Sequence, residues 1–326
     1  MRFFITGITG FVGVYLAELL LEQGHDVNGV ARDEGGIAAL HRRYGDRFPT
    51  SAVTLCDLRD RDALRAALRR SEPRGVFHLA GMAFVPATFE RPELAYEVNF
   101  LGTVEVLSAV REIAPAARVV QVTSGEIYGA IDPTRDLPLT EEQPLRPLSP
   151  YSVAKAAADL SGFQFFRTHG LDVIRARPFN HTGPGQAPTF VCPEFAKALA
   201  AAELGVGPAR LLVGNLDVER DFSDVRDVVR GYLALFEHGV AGEAYNLGSG
   251  VSTSVRSILE ELRRSCRVPV AVDTDPKKVR PSDVPRIAGS IEKIRRGTGW
   301  QPTIPLSVTL ADLFAEWRAR LQGQSA

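Results

Sequence analysis

The stretch Gly7-Ile-Thr-Gly10-Phe-Val-Gly13 directly follows the apolar run Phe3–Ile5 and opens a segment with helical spacing. Small residues at these positions let the backbone approach a pyrophosphate, and the N-terminus of the next helix offers N–H donors and a positive dipole. The spacing is GxxGxxG, and a bare glycine triplet can also be an ordinary structural turn. The flanking strand and helix favour a dinucleotide-binding turn. Its expected contact residues are Gly7, Thr9, Gly10, Phe11, Val12 and Gly13.

Short apolar runs alternate with amphipathic segments through the first half of the chain. Strands are predicted at Arg2–Thr6, Asp26–Ala31, Ala52–Cys56, Gly75–Leu79, Arg118–Thr123 and Leu171–Ala176. Helices are predicted at Phe11–Gln23, Arg61–Arg69, Leu101–Glu112 and Ser152–His169. This alternation predicts an α/β fold with a Rossmann-type doubly wound parallel sheet, because βαβ units feed a parallel sheet covered by helices on both faces.

The pattern changes at the Gly- and Pro-rich stretch Arg177-Pro-Phe-Asn-His-Thr-Gly-Pro-Gly-Gln186, which interrupts regular structure. Beyond it we predict helices near Pro193–Leu204, Ser254–Cys266 and Val308–Leu321, and a strand near Ala244–Leu247. We therefore expect a dinucleotide-binding Rossmann domain over residues 1–180, with returning segments near 220–248 and 285–296. A smaller C-terminal α/β substrate lobe is expected over 181–326.

Composition narrows the partners and the compartment. The 326 residues include 38 basic and 39 acidic ones, so no global field attracts nucleic acid or an anionic membrane. The three cysteines, Cys56, Cys192 and Cys266, have neither disulfide-framework nor zinc spacing, so we expect no metal site and a reducing, cytoplasmic setting. No apolar stretch approaches the roughly 20 residues that span a bilayer.

The adenosine end of the cofactor is expected at the ends of the second and third strands. Arg32 favours NADP(H), because an arginine there accommodates a 2′-phosphate, while Asp33 keeps NAD(H) as an alternative; Arg32 can also be a solvated surface residue. Asp57, followed by Leu58, is expected to accept from the adenine amine or to cap a helix. Three residues end the fourth strand where a dinucleotide would cross the sheet edge: Leu79, Ala80 and Gly81.

A tyrosine and a lysine four residues apart, Tyr151 and Lys155, lie on one face of a predicted helix. A free tyrosine has a pKa near 10, so it needs a nearby cation to exchange protons at pH 7. Ser124 ends the fifth strand at the edge where ligands bind in open α/β folds. The pair alone can be a surface helix pair, but with the serine and the glycine turn it predicts carbonyl or alcohol redox chemistry.

In this order, the motifs resemble the extended short-chain dehydrogenase/reductase family over essentially the whole chain. The resemblance implies that Tyr151 is the acid/base, that Lys155 lowers its pKa and holds the nicotinamide ribose, and that Ser124 orients the reacting oxygen. Asn99 matches a position that supports the active-site lysine; it can also be the N-cap of the next helix. The family usually forms a homodimer through a four-helix bundle, here from Leu101–Glu112 and Ser152–His169.

Further stretches resemble the branch of this family that acts on GDP-hexoses. They are Ser124-Gly-Glu-Ile-Tyr-Gly129, Arg177–Gln186, Gly214-Asn215, Arg220–Asp227, Tyr245-Asn-Leu-Gly-Ser-Gly250 and Arg280-Pro-Ser-Asp283. The substrate-binding residues this implies are Ser124, Gly125, Glu126, Asn180, Arg220, Arg280 and Asp283. Arginine side chains pair well with the phosphates of a diphosphate, and a carboxylate can accept from the N1–H and the exocyclic amine of guanine. Structural ion pairs for the two arginines, and a turn for Asp283, stay open.

The branch contains reductases and 4,6-dehydratases, which differ in their need for a second base. We expect NAD(P)H-dependent reduction of the C4 ketone of a GDP-4-keto-6-deoxy-hexose, because Ser124, Gly125 and Glu194 depart from the dehydratase pattern. Glu126 occupies the position of the dehydratase base and is included among the catalytic candidates. A dehydratase, a redox-neutral epimerase or mutase, and a dinucleotide sensor without enzymatic activity remain alternatives.

Overall fold

A computed structural model describes residues 1–45, 52–278 and 284–324. The strands, in chain order, are β1 (Arg2–Thr6), β2 (Asp26–Ala31), β3 (Val53–Leu55), β4 (Gly75–His78), β5 (Arg118–Val122), β6 (Val173–Pro178), β7 (Asn180–Thr182), β8 (Arg210–Val213), β9 (Glu219–Asp224), β10 (Ala244–Leu247), β11 (Ser252–Ser254) and β12 (Ala271–Thr274). Seven of them form one parallel sheet in the order β10-β6-β5-β4-β1-β2-β3. The predicted Rossmann-type doubly wound sheet is confirmed.

The helices join and cover these strands. They are α1 (Phe11–Glu22), α2 (Glu34–Tyr44), α3 (Arg61–Ser71), α4 (Val85–Glu90), α5 (Pro92–Tyr96), α6 (Gly102–Ile113), α7 (Pro150–His169), α8 (Val191–Glu203), α9 (Val225–His238), α10 (Val255–Ser265), α11 (Glu292–Thr298) and α12 (Leu306–Gln324). A π-helical turn, Glu97–Leu101, joins α5 to α6, and 3₁₀ turns lie at Gly125–Tyr128 and Pro276–Lys278. Within the described residues, none of these helices has the length and apolar content to cross a bilayer.

Alternating side chains of β1 divide the main core between the two faces of the sheet. Phe3 and Ile5 pack with α1 and α9 on one face, whereas Phe4 packs with α3 and α6 on the other. This is the period of two that a strand covered on both faces requires. Because the strands are parallel, their carboxyl ends lie at one edge of the sheet. The predicted site residues follow β1, β4 and β5 at this edge.

A separate core lies in the second half of the chain. Helices α8, α10 and α12 bury Phe195, Leu259, Phe314 and other apolar residues against β8 and β12, which pair in parallel. Strands β7, β9 and β11 form a small sheet, and β9 continues directly into α9, which packs on the large sheet. The chain of the small sheet thereby continues directly into a helix that covers the large sheet.

The observed ends of the predicted elements lie within a few residues of the predicted ends. Several short elements and two longer helices, α2 and α9, were missed. The missed helix α2 contains Gly35 and Gly36, and glycine weakens a helical signal. Helix α9 is strongly amphipathic and was also not predicted as a helix. The helix predicted from Leu101 is α6, and the π-helical turn before it lies outside the usual 3.6-residue period.

Candidate active site

The glycine turn between β1 and α1 has the geometry that a pyrophosphate requires. Gly7 has φ +74°, and the Gly10 N–H donates to its carbonyl oxygen at 2.9 Å. A Cβ at Gly13 would overlap the Gly7 carbonyl oxygen and lie 2.8 Å from Ile8 Cα. Among the described residues, no side chain caps α1 and no acidic residue lies in its first turn. Its N-terminal amides and dipole therefore suit an anionic group.

The turn packs directly against the end of β4. A Cβ at Gly7 would lie 2.9 Å from Ala80 Cα, and one at Gly81 would lie 2.8 Å from Asn99 Oδ1 and 3.5 Å from Lys155 Nζ. Small residues are needed here because the backbones approach closely. Five predicted cofactor residues are thus brought together within a few ångströms.

Asn99 lies in the π-helical turn and does not cap a helix. Its side-chain Oδ1 accepts from the Met82 N–H at 2.7 Å, and its Nδ2 donates to the Met82 carbonyl at 3.0 Å. The N-cap alternative was wrong, because the chain is already helical on both sides of this residue. The amide holds the loop that follows β4, beside Lys155.

At the end of β2, the Arg32 side chain is exposed, whereas the Asp33 carboxylate is already hydrogen-bonded. The Asp33 carboxylate caps α2 by accepting from the Gly36 N–H at 2.7 Å. An acidic side chain used as a cap is less available to a ribose hydroxyl.

Asp57, after β3, is held by a neighbouring arginine. Its carboxylate accepts from Arg59 Nε at 3.0 Å and Nη2 at 2.8 Å, and these bonds are the main cause of its lowered pKa. The helix-cap alternative was wrong, because Asp60 caps α3 through the Ala63 N–H. The Leu58 side chain is buried in the core, so only its backbone can face a cofactor.

Tyr151, Lys155 and Ser124 meet where β5 ends. Helix α7 begins with a capping box between Ser149 and Ser152, which fixes the turn that carries Tyr151. Ser124 lies two residues after β5, close enough to the Tyr151 phenol to lower its pKa. Lys155 Nζ donates to the Val122 carbonyl at 3.0 Å.

Burial sets the protonation of this site. It raises the pKa of Tyr151 to about 12, with the Ser124 hydrogen bond opposing this rise and the nearby Glu126 carboxylate adding to it. Burial also lowers the pKa of Lys155 to about 8. At pH 7 the phenol is therefore protonated and the ammonium is charged, so the site can donate a proton beside a cation.

The Phe179 ring packs against Gly125 and explains why this position has no side chain. The sequence analysis did not identify Phe179. A Cβ at Gly125 would lie 2.8 Å from Phe179 Cδ1. The same ring packs on Gly289 and stacks on Tyr128 with centroids 6.2 Å apart. The glycine itself was the available signal, because it marks a close approach whose partner the sequence does not identify.

Only some of the predicted substrate residues lie beside Tyr151. Ser124, Gly125 and Glu126 lie beside Tyr151, and Asn180 begins β7 directly after Phe179. Arg220 lies on β9, which pairs with β7, and donates to the Val284 carbonyl at 2.7 Å. Arg280 and Asp283 lie outside the described residues.

Glu194, the departure from the dehydratase pattern on α8, is paired with Lys278. The ammonium of Lys278 also donates to the Leu212 carbonyl at 2.8 Å. The dehydratase pattern tends to have a lysine where this chain has Glu194. Lys278, from a different segment of the chain, therefore supplies a cation beside this position.

The fold and the serine, tyrosine and lysine at its sheet edge define an enzyme of the short-chain dehydrogenase/reductase type. A model of the family described as GDP-mannose 4,6 dehydratase matches residues 4–313. The chain belongs to this family.

One curated relative and two solved structures cover the chain almost completely. GDP-6-deoxy-D-mannose reductase of Pseudomonas aeruginosa is 34% identical over 98% of each chain. The solved structure of RMD from Pseudomonas aeruginosa complexed with NADPH has a TM-score of 0.84 at 32% identity, covering 98% of this chain and 100% of that one. UDP-glucose 4-epimerase of Thermus thermophilus complexed with NAD has a TM-score of 0.85 at 27% identity, covering 98% and 99%.

Proposed function

We propose that the protein reduces the C4 ketone of a GDP-4-keto-6-deoxy-hexose with a nicotinamide dinucleotide. One observation carries this proposal: the buried Tyr151 phenol lies within interaction range of Ser124, and the buried Lys155 lies one helical turn further along α7 and contacts the end of β5. A ketone reductase needs a proton donor of this kind. The likeness to a GDP-6-deoxy-D-mannose reductase supports the substrate class.

The chain's own residues perform the acid half of the reaction. The bound dinucleotide supplies the hydride to the sugar C4. Ser124 donates a hydrogen bond to the ketone oxygen, and Tyr151 transfers its phenolic proton to the same oxygen as charge develops there. Lys155 stabilises the phenolate left behind, because a cation near an anion favours the charged form. The product is the C4 alcohol.

Glu126 supports a second candidate, a 4,6-dehydratase. Its carboxylate lies close enough to influence the Tyr151 phenol, so a base and an acid share one site. In that reaction Glu126 removes the C5 proton, water leaves from C6, and the hydride first taken from C4 is returned to C6. Net consumption of reductant separates the two candidates.

NADP(H) is the proposed cofactor, with NAD(H) as the alternative. Arg32 is exposed beside the adenosine end, while the Asp33 carboxylate is used to cap α2. A guanidinium suits a 2′-phosphate. The likeness to an NADPH complex supports the same choice, although another relative of known structure carries NAD.

The second lobe is proposed to hold the GDP part of the substrate within residues 181–326, with Asn180 at its border. Arg220 and Arg280 would contact the diphosphate and Asp283 the base. We also propose a homodimer through a four-helix bundle. Exposed apolar side chains on α7 and the π-helical turn support it, namely Leu101, Val153, Leu160 and Phe163. A cytoplasmic location stays a prediction from the cysteine pattern.

A paired incubation tests the function. The purified protein is mixed with GDP-4-keto-6-deoxy-mannose and NADPH, and separately with GDP-mannose without added reductant. Absorbance at 340 nm and product mass are followed in both. Stoichiometric NADPH loss with a gain of two hydrogens supports the reductase. Loss of water from GDP-mannose without net NADPH use supports the dehydratase, and no reaction in either mixture contradicts both.

A further inference from the structure

A buried charge network lies under α7, and no step of the proposed reaction uses it. Asp159 is fully buried, and its carboxylate accepts from Arg177 Nε at 2.9 Å and Nη2 at 2.7 Å. Arg175 Nη1 donates to the same carboxylate at 2.6 Å. Both arginines lie on β6. The network therefore ties the catalytic helix to β6, the second strand from one edge of the sheet.

Asp159 lies on the same face of α7 as Tyr151 and Lys155, because residues four apart on a helix lie one above the other. Lys155 is bonded to the Val122 carbonyl at 3.0 Å. The Thr123 hydroxyl lies within donating distance of two acceptors, the Ala176 carbonyl at 3.0 Å and the Asp159 carboxylate at 3.3 Å. Two adjacent residues at the end of β5 thus hold two successive turns of α7. Movement of the helix along its axis would break both contacts.

Arg177 also bonds to the chain that follows Ser124. Its Nη1 donates to the Tyr128 hydroxyl at 3.1 Å and to the Glu141 carbonyl at 3.0 Å. Tyr128 closes the 3₁₀ turn that begins directly after Ser124. Ser124 therefore lies between one residue bonded to Asp159 and a turn bonded to Arg177.

We propose that Asp159 and Arg177 form a positioning pair that sets the separation between Ser124 Oγ and Tyr151 Oη. A two-pronged arginine–carboxylate contact fixes direction as well as distance. Removing one partner of a buried ion pair is strongly destabilising because it leaves an uncompensated charge, so the test measures geometry and stability separately. The kinetic part of the test rests on the proposed function, and the structural part does not.

The test compares Asp159→Asn with a matched control, Asp227→Asn. Asp227 is also fully buried, but it ties α9 to the N–H groups of Thr303 and Ile304. For Asp159→Asn we expect kcat to fall about 10–100-fold, with KM and the NADPH Kd within about threefold of wild type. In crystals grown with NADPH, the Ser124–Tyr151 oxygen separation should change by about 1 Å. The control should lose thermal stability while kcat and this separation stay unchanged.

An unchanged oxygen separation in Asp159→Asn, or a loss of kcat equal to that of the control, overturns the proposal. If the wild-type protein does not reduce the ketone, the proposed function fails, and the crystallographic comparison still decides the positioning role. If Asp159→Asn does not fold, Thr123→Val replaces it, since this variant removes the Thr123 contacts with Asp159 and with the Ala176 carbonyl without changing a charge. Its kcat should fall several-fold, and an unchanged kcat and separation overturn the proposal.

Discussion

The carboxyl edge of the seven-stranded sheet and the second lobe, which we propose binds the nucleotide, differ in how their residues are held. At the sheet edge, Ser124, Tyr151 and Lys155 follow or lie on regular elements, and each has a bonded neighbour in the structure. In the second lobe, Arg220 reaches the Val284 carbonyl on a distant segment, and the Lys278–Glu194 pair joins another two. We therefore expect single substitutions at the sheet edge to have large effects and those in the lobe smaller ones.

The largest effect is expected for Tyr151→Phe, which removes the proton donor at the sheet edge. Its kcat should fall about 10²–10⁴-fold, the usual contribution of general acid catalysis, while NADPH still binds. Steady-state absorbance at 340 nm and a fluorescence titration with NADPH measure the two quantities.

Tyr232→Phe is the control for this variant. The Tyr232 phenol is fully buried and close enough to influence Tyr151 electrostatically, and its hydroxyl has no hydrogen-bond partner among the described residues. Removing an unpaired buried hydroxyl is neutral or stabilising, so kcat should stay within about threefold of wild type. Equal losses in both variants would contradict the role of Tyr151.

Arg32→Ala should produce the next largest effect, confined to the choice of cofactor. Losing a charge-assisted contact to a 2′-phosphate should weaken NADPH binding about 10–100-fold, while NADH binding stays unchanged. Fluorescence titrations with both dinucleotides measure this. Arg61→Ala is the control, because Arg61 is paired with Glu105 on α6. A parallel loss of both dinucleotides in Arg32→Ala would mean that Arg32 does not read the phosphate.

The pH profile of kcat should fall as pH rises through about 8, where Lys155 loses its proton. Each further pH unit should lower kcat about tenfold, because the neutral amine no longer stabilises the phenolate. Stability should change in the opposite direction. Burial holds the folded-state pKa of Lys155 below its unfolded value, so the unfolded chain binds more protons above pH 8.

Chemical denaturation of cofactor-free wild type and Lys155→Met tests the stability half. From pH 8 to 10 the unfolding free energy of wild type should rise by about 2–3 kcal/mol relative to the variant. A difference that stays constant over this range would show that Lys155 is not held at a lowered pKa.

Gly125→Ser tests the close contact between Gly125 and Phe179. Its new side chain would meet the Phe179 ring, with the Cβ only 2.8 Å from Cδ1. Overpacking of this kind should lower the unfolding free energy by about 1–3 kcal/mol and reduce kcat about tenfold, since Ser124 is adjacent. Urea denaturation and steady-state rates measure both. Phe179→Leu in the same chain should restore stability, and no recovery would place the strain elsewhere.

The contrast between the two regions also explains what the sequence could predict. The glycine turn, the ends of the central strands and the Tyr151–Lys155 spacing are local patterns, and the structure brings these residues together. Phe179, the Arg59–Asp57 contact and the Lys278–Glu194 pair were missed. The Phe179 and Lys278 contacts join residues more than 50 positions apart. The Arg59 contact is local, but a guanidinium beside a carboxylate leaves no periodic signal.

In the second lobe, Arg220→Met should have the smallest effect of this series. Loss of a proposed diphosphate contact should raise KM for the sugar nucleotide about 5–10-fold, with kcat and the NADPH Kd within about threefold, because we propose that the hydride and proton transfers occur beside Tyr151. Arg286→Met is the control, since Arg286 pairs with Glu219 on the same strand as Arg220. A large loss of kcat in Arg220→Met alone would show that the lobe also orients the reacting sugar, and the proposed division between the two regions would be wrong.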